Sequence, residues 1–346
     1  MGSSHGDTRI TRLAIGEGAH YTPLAIRSHE IWRAIESLTG EDLLVQTGML
    51  VISSDGGRGK MHGARFFENT VEAARRFGIA HEELDAAAMR RRFPGFRVRD
   101  AEAGYFERDA GYLRPEACVA TQLRLAEEHG ATLRRNERVV AIEARGPGVR
   151  LRTERGQYDA ERAIVATGAW IDELVPETIS RHLTVTRQVL YWFDVDPPVS
   201  RFSPPEFPVW IWELAEGRDA IYGFPAIDGP HGGVKVATEQ YAHATSPDGV
   251  ARHVAPDEAA RMHALVAPHL SGVGAKCLKS MACLYTSTPD FNFIVDDHPD
   301  VPAAIVASAC SGHGFKHSAA LGEALAQQIL DGTSRLDLSA FRVNRF

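Results

Sequence analysis

Apolar positions along the chain follow two rhythms. Between Thr22-Pro23 and Gly40, Leu24, Ser28, Ile31, Ile35 and Leu38 recur at three- and four-residue spacing, which predicts a helix with those side chains inward. A continuous apolar run at 48–52 predicts a strand, 55–59 a turn, and 61–77 and 86–92 further helices. Strands within 104–113 feed a helix from Pro115 to Gly130, and 139–142 and 149–153 read as β, with Gly156 as a turn. The run 162–170 predicts a buried strand ending in a small-residue turn. A second such strand at 303–307 precedes a helix that turns Ala320, Leu321, Ala324, Leu325, Ile329 and Leu330 to one side and stops at Gly332. Strands alternating with helices indicate an α/β domain with a partly parallel sheet. From 183 to 283 the rhythm changes: 189–193, 210–212, 221–224 and 233–237 are aromatic, β-rich segments joined by Pro/Gly loops. They predict an antiparallel sheet forming a second domain inserted in the first, a mixed α/β (α+β) architecture.

Composition narrows the function classes. The 346 residues carry 38 Lys and Arg against 45 Asp and Glu, a net charge of -7 that gives no electrostatic reason to expect nucleic acid or an anionic membrane as partner. No apolar run approaches the roughly 20 residues of a membrane span. Cys118, Cys277, Cys283 and Cys310 have no C-x-x-C or disulfide-framework spacing, so a reducing cytoplasm is the expected location.

The candidate chemistry concentrates at 308–316, where an apolar strand meets a small-residue turn and a helix. That geometry aims backbone N–H groups at an anion or an electron-rich carbonyl. Lys316 falls in the first helical turn, where the helix dipole least welcomes a cation, and a ligand carboxylate beside it explains the placement. His313 and His317 lie four apart, but without the glutamate of H-E-x-x-H or a third ligand they do not read as a metal site. Lys235 sits in an alternating strand where an inward lysine is unusual; the other reading is an outward edge residue. Trp210 and Trp212 alternate on a strand, so that one of them could line a pocket, although core packing serves equally.

The motifs SGHGFK (311–316), HGDTRITR (5–12) and ACLYT (282–286) together resemble the monomeric sarcosine oxidase / N-methyl-L-tryptophan oxidase family of flavin-dependent amine oxidases. The resemblance runs nearly end to end. It implies FAD tethered covalently through Cys283, with Cys310 the other cysteine considered. It implies a substrate carboxylate held by Arg12 and Lys316, and Tyr222 and Glu239 in the substrate pocket. Family members carry a histidine where Glu239 stands, and the loop 228–232 looks longer here, so sarcosine itself is not the expected substrate. The resemblance places Lys235 over the flavin to promote reaction with oxygen, with Arg9, His5 and Tyr285 also in catalytic positions. Thr8, Val139, Thr167, Gly168, Gly312, His313, Gly314 and Phe315 fall at cofactor-binding positions.

The activity so implied is oxidation of a secondary (N-methyl) amino acid to an imine, then hydrolysis, with oxygen reduced to hydrogen peroxide by a monomer. Residues 1–44, 110–180 and 283–346 would form the FAD-binding domain, and 45–109 and 181–282 the substrate domain. The family opens with a strand, a glycine-rich turn and a helix, about 40 residues or one βαβ unit. No such stretch occurs in this sequence, since Gly56, Gly57 and Gly59 follow a polar turn. The expected Rossmann-like domain is therefore incomplete, and long unpaired sheet edges predict poor solubility. Residues 2–20 read on their own as a solvated segment, in which Arg9 and Arg12 would share a face if helical. A truncated, cofactor-free and inactive remnant and a non-covalent FAD oxidase or dehydrogenase are the alternatives.

Overall fold

The computed structural model describes residues 2–54, 65–215 and 220–346. The turn expected at 55–59 and residues 61–64 of the expected helix lie outside them. The architecture is mixed α/β, as the two rhythms predict.

Its largest element is an eight-stranded sheet in the order Val273–Ser287, Thr184–Val195, Val234–Thr238, Ile221–Phe224, Val209–Glu213, Met49–Ser53, Ala103–Glu107 and Glu82–Leu84. Every pairing is antiparallel except that of Val209–Glu213 with Met49–Ser53. Both faces are covered, and alternation sorts the side chains. Trp210 and Trp212 pack on one face with Phe96, Tyr191 and Phe193. Val209 and Ile211 pack on the other with Leu190, Trp192, Tyr222 and Phe224. Ile211, not either tryptophan, therefore reaches the cavity described below, and both tryptophans belong to the core.

A three-stranded sheet faces it across that cavity. Ala304–Ser308 lies in its middle, parallel to Ala163–Val165 and antiparallel to Ile294–Asp297. The strand expected to be buried at 162–170 has only one covered side: Val165 is buried, whereas Ile164 is 41% exposed. The helices Thr22–Thr39 and Ser318–Asp331 pack together through Leu24, Ala25, Ala320, Leu321 and Ala324. Gly40 and Gly332 end them in the left-handed conformation, as predicted. The inner faces are shorter than expected, because Leu38 and Leu330 point outward at 69% and 80% exposure.

Two further three-stranded sheets complete the fold. One contains Val139–Arg145, Gly148–Thr153 and Gln157–Ala160. The other pairs Arg9–Thr11 and Leu44–Gln46 with Gly111–Leu113. The segment that reads alone as solvated is thus a strand, and Arg9 and Arg12 do not share a helical face. One helix, Pro256–Val266, carries a weak sequence signal. Its first turn is held by the Glu258 carboxylate, which accepts from the Ala255 N–H at 2.9 Å and pairs with Arg187 at 2.6 Å.

Candidate active site

A cavity of about 740 Å³ lies between one face of the eight-stranded sheet and the turn after Ala304–Ser308. Every site residue implied by the family resemblance lines it except Val139, which packs against the cluster of Val165, Ile171 and Leu174; His317, Trp210 and Trp212 do not line it.

The segment before Arg9–Thr11 is stitched to the sheet by buried polar contacts. Arg9 donates to the carbonyls of Ser3 and His5, both at 2.5 Å, and of Thr8 at 2.8 Å. Gly6 N–H donates to Glu116 at 2.6 Å, and the His5 ring meets the Ala282 carbonyl at 3.3 Å. Burial holds that imidazole below its usual range. Lys235 points inward, as strand alternation allows. Its ammonium donates to Gly6 O at 2.7 Å, Thr8 O at 2.8 Å and Thr8 Oγ1 at 3.0 Å, and it lies 4.2 Å from the centre of the Phe224 ring. Burial, then the nearby Arg9 charge, depress its pKa well below the usual lysine range.

At the opposite end, Arg12 and Lys316 are both buried, and one carboxylate lies between them. Glu17 forms a short ion pair with Arg12 and accepts from Lys316 Nζ at 3.2 Å. Lys316 also donates to His313 O at 2.9 Å, and burial brings its pKa down to about 8, opposed by Glu17. Arg12 Nε donates to Ala14 O at 3.0 Å, and the guanidinium stacks 4.8 Å over Phe66. Sequence reasoning missed Glu17. Its only signal is an acid flanked by Gly16 and Gly18, five residues beyond Arg12.

Cys283 is buried in the sheet wall, on its edge strand Val273–Ser287. Burial raises its thiol, and the Arg9 and Lys235 charges lower it by less. The expected activation by Arg9 is therefore present but outweighed. Cys310 lines the same cavity from the turn, its sulfur 3.4 Å from the Thr286 N–H. Tyr222 and Tyr285 hydroxyls lie 3.2 Å apart, and burial raises both phenols. Glu239, also buried, raises both further, and its carboxylate lies against the Tyr241 phenol.

The turn itself needs unusual backbone. Ser311 and Gly312 have φ of 40° and 81°, and Ser311 N–H donates to Thr286 O at 2.9 Å. A Cβ on Gly314 would fall 1.8 Å from Ala309 O, so only glycine closes this turn. His313 stacks on Phe293 at 5.0 Å and meets Tyr21 edge-on at 4.9 Å, while His317 stacks on Tyr21 at 5.1 Å. Among the described residues no cluster of His, Cys, Asp and Glu is arranged to hold a metal. At the other lip, Gly168 is left-handed (φ 59°), and a Cβ there or on Gly322 would meet nothing within 4 Å.

These features fit a large flat cofactor. The cavity is of ligand-holding size and mostly apolar-walled, with open space beside two of its glycines. The buried Ser318 hydroxyl at the start of Ser318–Asp331 has no protein partner among the described residues.

The chain belongs to the FAD dependent oxidoreductase family, whose model matches residues 1–328. It is 35% identical over 345 residues to monomeric sarcosine oxidase of Streptomyces avermitilis, covering 99% of this chain and 88% of that protein. It is 36% identical over 352 residues to N-methyl-L-tryptophan oxidase of Salmonella enteritidis, covering 100% and 89%. It is thus an FAD-dependent oxidoreductase whose relatives act on amines. NikD, an unusual amino acid oxidase essential for nikkomycin biosynthesis, shares the fold in its open form. The TM-score is 0.81 at 21% identity, over 99% of this chain and 87% of that one. L-proline dehydrogenase from P. horikoshii does so at 0.77 and 18%, over 100% and 88%.

Proposed function

We propose that this enzyme oxidises a secondary (N-methyl) amino acid to an imine, which water hydrolyses, with oxygen reduced to hydrogen peroxide. The observation that carries this reading is the buried Arg12–Lys316 pair, set in one cavity with Lys235 and Cys283. A guanidinium beside an ammonium is a receptor for a carboxylate, and Glu17 already shows a carboxylate seated there. The substrate's carboxylate takes that place, which anchors one end and presents the C–N bond to the turn at 312–316. Tyr222 and Tyr285 donate from the sheet wall. Lys235, clamped by Gly6 and Thr8, sets a buried positive pole for the reduction of oxygen.

FAD, when bound, supplies the two-electron acceptor and relays the electrons to oxygen. Gly312, His313, Gly314 and Phe315 would hold it from the turn, and Thr8, Thr167 and Gly168 from the opposite lip. Attachment through Cys283 completes the proposal. The raised thiol favours one second reading, an oxidase or dehydrogenase with non-covalent FAD. We assign residues 1–44, 110–180 and 283–346 to the cofactor domain and 45–109 and 181–282 to the substrate domain. We also assign it to the cytoplasm as a monomer, a reading that the four free cysteines support as far as the reducing compartment goes.

The test is a visible spectrum before and after acid precipitation, with peroxide assayed over a panel of N-methyl amino acids. Flavin colour kept in the pellet, together with peroxide from one of the panel, is the expected result. Colour released to the supernatant removes the tether. A coloured enzyme yielding peroxide from none of the panel sinks the substrate reading.

A further inference from the structure

The turn at Gly6, Asp7 and Thr8 is held through both kinds of backbone group. Its carbonyls serve the cavity: Gly6 O and Thr8 O accept from the Lys235 ammonium at 2.7 and 2.8 Å. Its N–H groups go elsewhere. Those of Gly6 and Asp7 converge on one carboxylate oxygen of Glu116, at 2.6 and 3.2 Å. Both residues have positive φ, 102° and 69°, and successive N–H groups in such a turn form a cradle for an anion. Here the anion is a side chain of the same protein. The turn does not hold this shape unaided. Thr8 N–H donates back to Gly6 O at 2.8 Å, which closes a three-residue turn on Asp7, where a Cβ disfavours positive φ. Strain of this kind persists only where the surroundings over-determine the backbone. Two contacts do so. Glu116 stands on the first turn of the helix Pro115–Glu128, and the Asp7 carboxylate accepts from Lys279 of the edge strand Val273–Ser287 at 2.6 Å. None of Asp7, Glu116 and Lys279 lines the cavity, so they reach it through the turn.

Lys235 depends on that turn. Its buried ammonium otherwise faces the rings of Trp192 and Phe224. Burial and then Arg9 oppose its charge, while Cys283, Asp7 and Glu116 favour it to smaller extents. We propose that Glu116 is a positioning residue for Lys235: its carboxylate grips the N–H groups of the strained turn, and the turn's carbonyls thereby hold the ammonium at the cavity wall. The positive pole offered to oxygen is thus set from a helix outside the cavity. This rests on the role given to Lys235 above and extends it by one link.

Variants of the holoenzyme test the link by two readouts. Glu116 is exposed, so its truncation leaves the core intact. Hydrogen exchange read by mass spectrometry reports the grip itself, without flavin chemistry. In Glu116→Ala the segment 3–9 should exchange at least about tenfold faster, and in Glu116→Gln, which keeps an acceptor oxygen, within about threefold of wild type. Stopped flow reports the consequence. Dithionite-reduced Glu116→Ala should be reoxidised by oxygen about tenfold more slowly than wild type, with most of the rate restored in Glu116→Gln. In the Lys235→Met background, Glu116→Ala should slow reoxidation no further. Unchanged exchange at 3–9, an additive loss in the double variant, or Glu116→Gln as slow as Glu116→Ala overturns the assignment. A wild-type reoxidation rate in Lys235→Met removes the reading of Lys235 and the positioning role with it. Faster exchange in Glu116→Ala would then leave Glu116 a structural anchor alone.

Discussion

The two walls of the cavity solve different problems. The eight-stranded sheet and the segment stitched to it carry Arg9 and the buried Lys235 and Glu239, and Lys235 is held by the carbonyls of Gly6 and Thr8 from a distant part of the chain. The three-stranded sheet offers mainly backbone: a turn with two successive left-handed residues, a glycine that no side chain can replace, and a strand with Ile164 exposed. The first wall is electrostatically pre-arranged and covered on both faces. The second is shaped to accept a surface. Chemistry that depends on charge belongs on the rigid wall, because a buried charge displaced by an ångström loses much of its worth. Reception of a flat group belongs on the other, where small residues permit close approach.

Three measurements sharpen that contrast, beginning with the largest effect. Glu17→Gln strips Arg12 and Lys316 of their shared anion and should cost about 3 kcal/mol, as breaking a buried pair does. Chemical denaturation reads it, and a loss within about 0.5 kcal/mol would mean the pair is solvated. The second is a pH profile. Burial lowers the Lys316 pKa to about 8, so its charge is present below that pH and lost above it. Carboxylate affinity should therefore fall roughly tenfold between pH 8 and pH 10, about 1.4 kcal/mol. The fall should vanish in Lys316→Arg, and a flat wild-type profile would count against the lysine's role. Smallest is Gly168→Ala in the other wall. Its Cβ meets nothing, so only the left-handed backbone resists, and about 1 kcal/mol should appear as a lowered Tm. An unchanged Tm would show that the lip relaxes freely.

Much of this was legible in the sequence, and the exceptions have physical causes. Lys235 stayed open between an inward and an edge position, because an inward lysine is unusual in an alternating strand and its acceptors come from Gly6 and Thr8, far away in sequence. The turn at 311–316 announced itself through small residues after an apolar run. Glu17 could not be found, because a loop acid has no periodicity and its partners are joined only by tertiary folding. Trp210 and Trp212 were ambiguous since both faces of their strand are buried. Ile164 read as core because composition reports apolarity, not whether a neighbour covers it. The helix Pro256–Val266 hid behind an alanine-rich, weakly periodic face and a terminus held by Glu258 rather than by a usual capping residue.

Lys235 carries a consequence for how the molecule comes together. Its three acceptors belong to Gly6 and Thr8, which lie 229 and 227 positions away along the chain. Among the described residues no hydrogen-bond acceptor near in sequence meets that ammonium, and closing so long a loop costs chain entropy that only later contacts return. Until the segment at 3–9 arrives, the lysine stays hydrated and the sheet cannot seal over it. The cavity's electrostatics are thus the last thing the chain acquires: a protein with its secondary structure in place but that segment loose would have the shape of the enzyme and not its field.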